Sequence, residues 1–417
     1  MSIQYLGTAE IKSHVAKVVL CVDSDRPHEY MFHWHWDGAA PDGYVPGALL
    51  TDIEVDDGAS ITLKPLQVWR QAPHGPLVLP ELSDAEAAEI RAVRIELTRV
   101  NGGFEGRWFD REGEGRVQLS VMELDDGLQV DRCRDWGDFK DWATRIRPEA
   151  DAKLFRGHGS SRFRLQTTLH RAGRARLVRF CAETLVDFHG EAEGVLGVRL
   201  NPADVNDFST LLALAQHHGM PTPLLDWTAS PYVAAFFAFA DAFDQRTVRT
   251  GHDDVRVFAL TREFVEGTSP AIVTVNAPQP FVASLHVSTR LNPRLQAQQG
   301  RFLVTNIVDL QSWIASMERL NSSRFLYAVD VPASAAVDAL EDLAYMGITA
   351  ATMFPGLDGV SRRIRHAMAF KRPQVKRAGV PTDAATSTAP EVQQKISNSK
   401  ELIDESDSAS APVGTDD

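Results

Sequence analysis

The feature that most constrains the fold is the stretch at residues 232–241, which is apolar on nearly every side when drawn as a helix. Such a helix has no face to offer to water, so it must be buried. Ser230 and Pro231 precede it, and these residue types are favoured at the N-cap and in the first turn. An earlier helix, capped by Asn206 or Asp207, leads through a proline-rich turn into a short apolar strand. The centre of the chain is therefore predicted to mix helices and strands.

The first 125 residues are predicted to form a separate antiparallel β-domain, either a sandwich or a barrel. Short runs typical of strands alternate with turn residues such as Asn101 and Gly102. The predicted strands are 15–22, 30–36, 59–69, 92–100, 103–109 and 115–122. One hypothesis for this β-domain is that it binds a protein partner.

Alternation is clearest at residues 32–36, where tryptophans and histidines fall on opposite faces of one strand. His33 and His35 could share a metal ion, but no third ligand follows at a suitable spacing. The favoured interpretation places both histidines on a solvated face over a core packed with tryptophan. No metal site is therefore predicted.

Residues 130–372 are predicted to form the mixed domain, beginning with an amphipathic helix on which Trp136, Phe139 and Trp142 share one face. From 373 to 417 the composition shifts to Pro, Ser, Thr, Ala and acidic residues, so this tail is predicted to be disordered. The predicted fold class is α+β: an antiparallel β-domain, a mixed α+β domain and a disordered acidic tail.

The net charge of −13 argues against nucleic acid as the main ligand, because binding to a phosphate backbone requires an excess of Lys and Arg. The three cysteines are far apart and lack the spacing of a disulfide framework or zinc site. The chain shows neither a secretory signal nor an apolar run long enough to cross a bilayer. These features favour a cytoplasmic protein without a membrane partner.

Phe155-Arg156-Gly157 is the first of four segments that can carry chemistry. Its arginine can present a planar fork of donors to a phosphate or carboxylate, and its glycine lets a ligand approach the backbone. The alternative is that Arg156 forms a structural ion pair with a buried carboxylate.

The second segment, residues 211–231, places Asp226, Thr228 and Ser230 beside the N-terminus of the apolar helix. Free N–H groups and the helix dipole favour an anion there, so these side chains are predicted to form the floor of a pocket. The alternative is that Asp226 and Trp227 only fix the core.

The third segment is polar, and the fourth, residues 353–359, contains a Pro-Gly turn. Residues 290–302 supply Arg294, Gln298 and Gln299, which can hydrogen-bond a polar ligand. Residues 348–354 are predicted to be a strand, followed by a Pro-Gly turn and a final helix.

Taken in order, the four segments resemble the FRG domain family, which is named for the Phe-Arg-Gly tripeptide. The other shared motifs are Leu-Ala-Gln-His-His-Gly-Met-Pro-Thr-Pro-Leu-Leu-Asp-Trp-Thr at 214–228, Gln-x-Gly-x-Phe at 298–302 and Phe-Pro-Gly-Leu-Asp-Gly at 354–359. The resemblance covers about residues 130–370. It implies kinship with proteins of bacteria and phages that have no agreed activity. Pro223 departs from the family, in which arginine is common at this place.

A second resemblance is to ADP-ribosyltransferases of the Arg-Ser-Glu type. Phe155-Arg156-Gly157 is similar to their first motif, and residues 226–230 followed by Phe237-Ala238 look like a variant of the second. The resemblance implies that Arg156 grips NAD and that Thr228 and Ser230 shape a nicotinamide pocket.

The block expected to supply the catalytic glutamate of such enzymes holds Gln298 and Gln299 instead. A neutral amide cannot stabilise an oxocarbenium-like charge as a carboxylate does. Asp226 could supply the negative charge from another side. The residues leave open whether the pocket is catalytic.

Three hypotheses follow from the sequence. The first is a nucleotide- or NAD-handling effector of ADP-ribosyltransferase-like type, in phage defence or a toxin system, with NAD as the candidate cofactor. The second is a catalytically silent sensor of a small-molecule or nucleotide ligand, and the third is a protein-interaction module. The predicted catalytic residues are Arg156, Asp226 and Gln298. The predicted ligand-binding residues are Phe155, Gly157, Gln216, His217, Thr222, Trp227, Thr228, Ser230, Arg294 and Gln299.

Overall fold

The computed structural model describes residues 3–11, 14–41, 44–73, 75–111, 113–124, 127–245, 254–270, 275–288 and 292–370. Two sheets that share no strand lie within these residues, and residues 1–370 form one compact unit. The tail at 373–417 that is predicted to be disordered lies outside the described residues.

Eight strands of the N-terminal region close into an antiparallel barrel. The elements are β1 (Gln4–Ile11), β2 (His14–Cys21), β3 (Glu29–His35), β4 (Gly47–Asp56), β5 (Ser60–Gln71), β6 (Leu77–Val78), α1 (Asp84–Ala92), β7 (Arg94–Val100), β8 (Gly103–Phe109) and β9 (Glu114–Ser120). The ring runs β1-β2-β3-β4-β5-β7-β8-β9 and returns to β1, while β6 adds a short edge to β5. Closure removes the open sheet edges. The predicted antiparallel β-domain is confirmed as a barrel.

Side-chain alternation decides which residues fill the barrel. In β9, Val117 and Leu119 are buried while their neighbours in the strand are exposed, as the two-residue period of a strand requires. The rings of Tyr5 and Tyr30 both pack edge to face on Phe104 in the interior. The barrel core is therefore made from the inward face of each strand.

The prediction that the histidines of β3 face solvent is wrong for His33, which is only 6 % exposed. Phe32 and Trp34 do face the barrel interior. The other face of β3 is covered, because Met31 packs against Val178 of the following region. A face that a distant part of the chain covers cannot be recognised from the alternation of the strand itself.

The second sheet is mixed. Its strands are β10 (Val130–Arg132), β11 (Ala152–His158), β12 (Leu224–Thr228), β13 (Asp254–Thr261), β14 (Val282–Leu285), β15 (Gly300–Thr305) and β16 (Leu326–Pro332). Their order is β10-β16-β13-β11-β12-β15-β14. β10 runs parallel to β16, and the pairs from β16 to β14 are antiparallel.

Helices cover both faces of this sheet. They are α2 (Trp136–Glu149), α3 (Thr168–Arg171), α4 (Leu177–Arg179), α5 (Leu185–Leu196), α6 (Val205–His217), α7 (Pro231–Asp244), α8 (Arg262–Gly267), α9 (Pro293–Ala297), α10 (Leu310–Asn321), α11 (Ala336–Tyr345), α12 (Ala350–Met353) and α13 (Leu357–Ala369), with a π-helical turn at Phe180–Thr184 and a 3-10 turn at Ala333–Ala335. Helices α2, α7 and α11 pack on one face, and α8 and α10 on the other. The predicted α+β class is confirmed. Within the described residues, every helix is too short or too polar to cross a bilayer.

Two local predictions are wrong. Residues 348–354 do not form a strand, because Thr349 caps the short helix α12 and shares reciprocal hydrogen bonds with Thr352. Helix α6 is capped by Asp204, whose carboxylate accepts from the main-chain nitrogens of Asn206 and Asp207. In both places the hydrogen bond of a cap decides where the helix begins.

Candidate functional site

A cavity of about 300 Å³ opens where β11 and β12 diverge. These two strands share one paired position, Phe155 with Thr228, whereas β11 pairs with β13 along most of its length. Side chains from α6, α7 and the segment around α9 complete the walls. The cavity therefore lies near the middle of the second sheet.

Arg156 reaches from β11 into this cavity with its side chain only 15 % exposed. Its Nε donates to His158 Nε2 (3.0 Å), and its Nη1 donates to the main-chain oxygen of Asp226. The Asp226 carboxylate is more distant, with Oδ2 3.9 Å from Nη1. Burial lowers the pKa of Arg156, and the charge of Asp226 opposes this shift. The guanidinium is thus a buried cation whose hydrogen-bond partners are neutral, which favours an anionic ligand.

His158 holds the guanidinium of Arg156 in place. Its Nδ1 lies 3.2 Å from the main-chain oxygen of Phe163, so the proton belongs on Nδ1 and Nε2 can accept from Arg156. Burial, followed by the charge of Arg156, lowers the pKa of His158 to about 3. The ring is therefore neutral near physiological pH and acts as a positioning group.

Asp226 presents its carboxylate beside Arg156 with the side chain 57 % exposed. Gln216 Nε2 donates to Asp226 Oδ2 (2.8 Å), and Gln216 Oε1 accepts from the hydroxyl of Thr222 (2.5 Å). The threonine fixes the orientation of the amide, and the amide fixes one carboxylate oxygen. The acid of the cavity is therefore held in a defined position.

Gln298 lines the cavity, but its side-chain nitrogen and its main-chain oxygen are already bonded. Its Nε2 donates to the main-chain oxygen of Met353 (2.9 Å), and its main-chain oxygen accepts from the hydroxyl of Thr228 (2.8 Å). These bonds join β12, α9 and α12. Gln298 therefore connects the walls of the cavity.

Two more arginines, Arg294 and Arg301, line the same cavity. The guanidinium of Arg294 lies 5.8 Å from the ring centre of Phe354, and the rings of Phe354 and Phe237 are also 5.8 Å apart. Burial lowers the pKa of His217, which favours its neutral form. Cations beside aromatic rings suit a ligand that combines negative charge with a planar ring.

Residues 151–247 match the model of the FRG domain. The matched range includes β11, α6, β12 and α7, and therefore both Arg156 and Asp226. The chain contains an FRG domain. No curated protein and no solved structure matches the chain.

The cavity of the FRG domain brings together residues that are far apart in sequence. The predicted site residues that line it are Phe155, Arg156, Gly157, Gln216, His217, Asp226, Trp227, Thr228, Arg294 and Gln298. The convergence of separate strands and helices on one concave site is typical of a binding pocket.

Three predicted site residues do not line the cavity of the FRG domain. Thr222 is fully buried and acts through Gln216. Ser230 and Gln299 line a different surface cavity, and the Ser230 hydroxyl accepts from the main-chain nitrogen of Val233 as the N-cap of α7. Of the three residues predicted to form the pocket floor, Asp226 and Thr228 line the cavity and Ser230 does not, because a side of α7 rather than its first turn faces the cavity.

Other wall residues are absent from the sequence prediction: Ala213, Ala234, Phe237, Asn292, Leu295, Gly300, Arg301, Phe302 and Phe354. A signal existed for His158, which lies two residues after Arg156 and so shares its face of the strand. Another existed for Arg301, which occupies the second of the two variable positions in the Gln-x-Gly-x-Phe motif. Among the described residues, no group of three His, Cys, Asp or Glu side chains is placed to hold a metal ion.

Gly157 of the FRG tripeptide lets α7 approach the sheet. A Cβ atom added there would lie 1.9 Å from the main-chain oxygen of Ala234 in α7. Because this oxygen belongs to the helix backbone, the whole helix would have to move. The glycine is therefore required by helix packing beside the cavity.

Gly157→Ala is expected to lower the free energy of unfolding by about 1–3 kcal/mol, because it forces α7 away from β11. Urea unfolding would measure the change. Gly190→Ala is the matched control, since an added Cβ at Gly190 in α5 meets nothing within 4 Å. Equal stability of the Gly157 variant and the wild type would refute this role.

Proposed function

We propose that the cavity of the FRG domain binds an anionic nucleotide and acts on NAD in the manner of an ADP-ribosyltransferase. The observation that carries this proposal is Arg156, a buried guanidinium whose hydrogen-bond partners are neutral. Phosphate oxygens are strong acceptors for such a planar fork of donors. The cavity volume of about 300 Å³ is at the low end for small-molecule sites. We therefore expect it to enclose one half of the dinucleotide.

Asp226 is the carboxylate that this proposal places near C1′ of the ribose. When NAD is hydrolysed, the bond between C1′ and the nicotinamide nitrogen breaks, and its electron pair neutralises the pyridinium ring. Water then adds to C1′ and a proton is released. Between these two steps the ribose carries a positive charge, which the carboxylate of Asp226 stabilises because it is already in position.

Gln216 and Thr222 act as positioning residues for Asp226 in this proposal. Gln298 is also a positioning residue, because its hydrogen bonds to Thr228 and Met353 hold another wall of the cavity in place. The nicotinamide ring would contact the aromatic side chains of Phe237 and Phe354. Catalysis therefore rests on Arg156 for binding and on Asp226 for charge stabilisation.

Purified protein is expected to release nicotinamide from NAD, and Asp226→Asn is expected to slow this release about 100-fold, the effect typical of removing one electrostatic group from a transition state. Arg156→Gln should abolish the release of nicotinamide, because this change weakens the binding of NAD. Chromatographic quantification of nicotinamide is the measurement. Arg145→Gln is the control, since Arg145 lies on α2 with its side chain 58 % exposed. If the wild-type protein released no nicotinamide, the proposed enzymatic activity would be refuted.

A catalytically silent sensor is the second candidate, and the bonding of Gln298 favours it. Where the Arg-Ser-Glu enzymes would have a glutamate, this chain has an amide that donates to Met353. A sensor predicts that ADP-ribose raises the unfolding temperature without any turnover of NAD, because a ligand that binds only the folded state stabilises it. Arg156→Gln should remove that increase.

We also propose a bacterial cytoplasmic setting and a role in phage defence or a toxin system, on the strength of the family resemblance. Cys21, Cys133 and Cys181 are free thiols, as suits a reducing compartment. Burial raises the pKa of Cys21 and of Cys181 to about 12, so neither is a reactive thiolate. A protein partner of the N-terminal barrel stays a prediction.

A further inference from the structure

The N-terminal barrel contains a second cavity of about 540 Å³. All the residues that line it precede the FRG domain in the sequence. An eight-stranded barrel is just wide enough to be filled by side chains or to hold one small ligand. Around Tyr5, Tyr30 and Phe104 the interior is filled by packed rings. Further along the barrel the inward residues include Ala9 of β1 and Val18 of β2, and there the cavity opens. The sequence itself therefore leaves this part of the barrel unfilled.

The wall of the barrel cavity is mostly apolar, and the indole N–H groups in it are already hydrogen-bonded. Trp34 Nε1 donates to the main-chain oxygen of Val45 (3.0 Å), and Trp108 Nε1 donates to that of Glu10 (2.6 Å). Both rings therefore offer the cavity apolar surface. A polar group placed deep in such a cavity would lose its hydrogen bonds to water without replacement. The interior thus selects a ligand with an apolar body.

Arg70 adds a positive charge to this apolar lining. Its Nη2 lies 3.1 Å from Glu86 Oε1 of α1, and the two side chains are 44 % and 40 % exposed. An ion pair this exposed contributes little to stability. Arg70 can therefore exchange Glu86 for the head group of a ligand at low cost. Ile90 of the same helix also lines the cavity, so α1 forms one side of its mouth.

We propose that the barrel binds a small monoanionic amphiphile, with a hydrocarbon body between Trp34 and Trp108 and a carboxylate head on Arg70. The volume lies within the range of small-molecule sites. A medium-chain fatty acid has this chemistry. The site is independent of the function proposed for the FRG domain.

Calorimetric titration of the full chain with decanoate tests this proposal. We expect saturable binding of one molecule per chain. Arg70→Gln should weaken binding of decanoate about tenfold, the effect of losing one charge-assisted hydrogen bond, while binding of the uncharged decanol changes much less. Leu49→Trp should abolish binding of both, because the larger ring fills the cavity.

Arg107→Gln is the matched control. Arg107 pairs with Glu114 at 2.9 Å, and both side chains are 52 % exposed, but Arg107 does not line the cavity. Circular dichroism checks the folding of each variant. If Leu49→Trp fails to fold, the surface change at Arg70 still decides the question.

Three results would overturn the proposal. The first is the absence of saturable binding by the wild type at millimolar decanoate. The second is unchanged affinity for decanoate in Arg70→Gln, and the third is an equal loss in Arg107→Gln, which would indicate attraction to surface charge alone. Because no step uses NAD, failure of the NAD assay leaves these results unaffected.

Discussion

At pH 5 the free energy of unfolding is expected to be about 6 kcal/mol lower than at pH 7, because three buried histidines resist protonation in the folded chain. Burial lowers the pKa of His33 to about 4 and the pKa values of His158 and His170 to about 3. In the unfolded chain each of them titrates near the ordinary value of 6.5. Acid therefore favours the unfolded state.

Protonation of these histidines is linked to unfolding. Between the folded and the unfolded pKa, the unfolded chain binds one more proton per histidine, so stability falls as the pH falls from about 6.5 towards 3. Each histidine contributes about 2 kcal/mol of this loss at pH 5. The charge of Asp23 opposes the shift at His170, while Arg156 adds to the shift at His158. Among the described residues, neither ring nitrogen of His170 has a hydrogen-bond partner.

Urea unfolding at pH 7, 6 and 5 measures this effect. His170→Leu should reduce the loss between pH 7 and pH 5 by about 2 kcal/mol, since one titrating group is removed. His286→Leu should leave the loss unchanged, because His286 is exposed. Equal stability of the wild type at pH 5 and pH 7 would contradict the burial of these rings.

Arg176→Met is expected to lower the free energy of unfolding by about 3 kcal/mol, because it removes one partner of a buried ion pair. Arg176 is 2 % exposed and Asp23 is 1 % exposed. Arg176 Nε donates to Asp23 Oδ2 (3.0 Å), and its Nη1 donates to Glu29 Oε2 (2.5 Å). Arg179 still contacts Asp23, so the loss is placed at the low end of the usual range. Asp23 follows β2 of the barrel and Arg176 precedes α4, so the pair connects the barrel to the FRG domain.

Arg174→Met is the matched control for this pair. Arg174 lies 2.9 Å from Asp25, with the two side chains 37 % and 41 % exposed, and such pairs contribute at most about 1 kcal/mol. Urea unfolding of both variants at pH 7 is the measurement. If the two variants lost the same stability, the buried pair would not hold the barrel to the FRG domain.

Local patterns were enough to predict most of the fold. Strong alternation in β8 and β9 indicates strands, and Ser230 with Pro231 marks the start of α7. The strands β1 and β4 are not predicted. The last residues of β4 include Glu54 and Asp56, which weaken its apolar pattern. His33 is misjudged because the surface that buries it comes from another part of the chain.

The candidate site is only partly visible in the sequence. Arg156 and Asp226 stand out because each lies in a compact motif with its own chemistry. Arg301 joins them because β15 pairs with β12, and Phe354 joins them because α12 lies against Gln298. Neither contact can be read from a single segment. Ser230 does not belong to the candidate site, because its hydroxyl caps α7 by accepting a hydrogen bond from the helix.

A crystal structure of the chain with ADP-ribose would show directly whether Arg156 and Asp226 bind the nucleotide. We expect the pyrophosphate within hydrogen-bond distance of Arg156 and a ribose beside Asp226, in the cleft between β11 and β12. Ligand density at any other place on the FRG domain, or none in crystals saturated with ADP-ribose, would contradict this expectation.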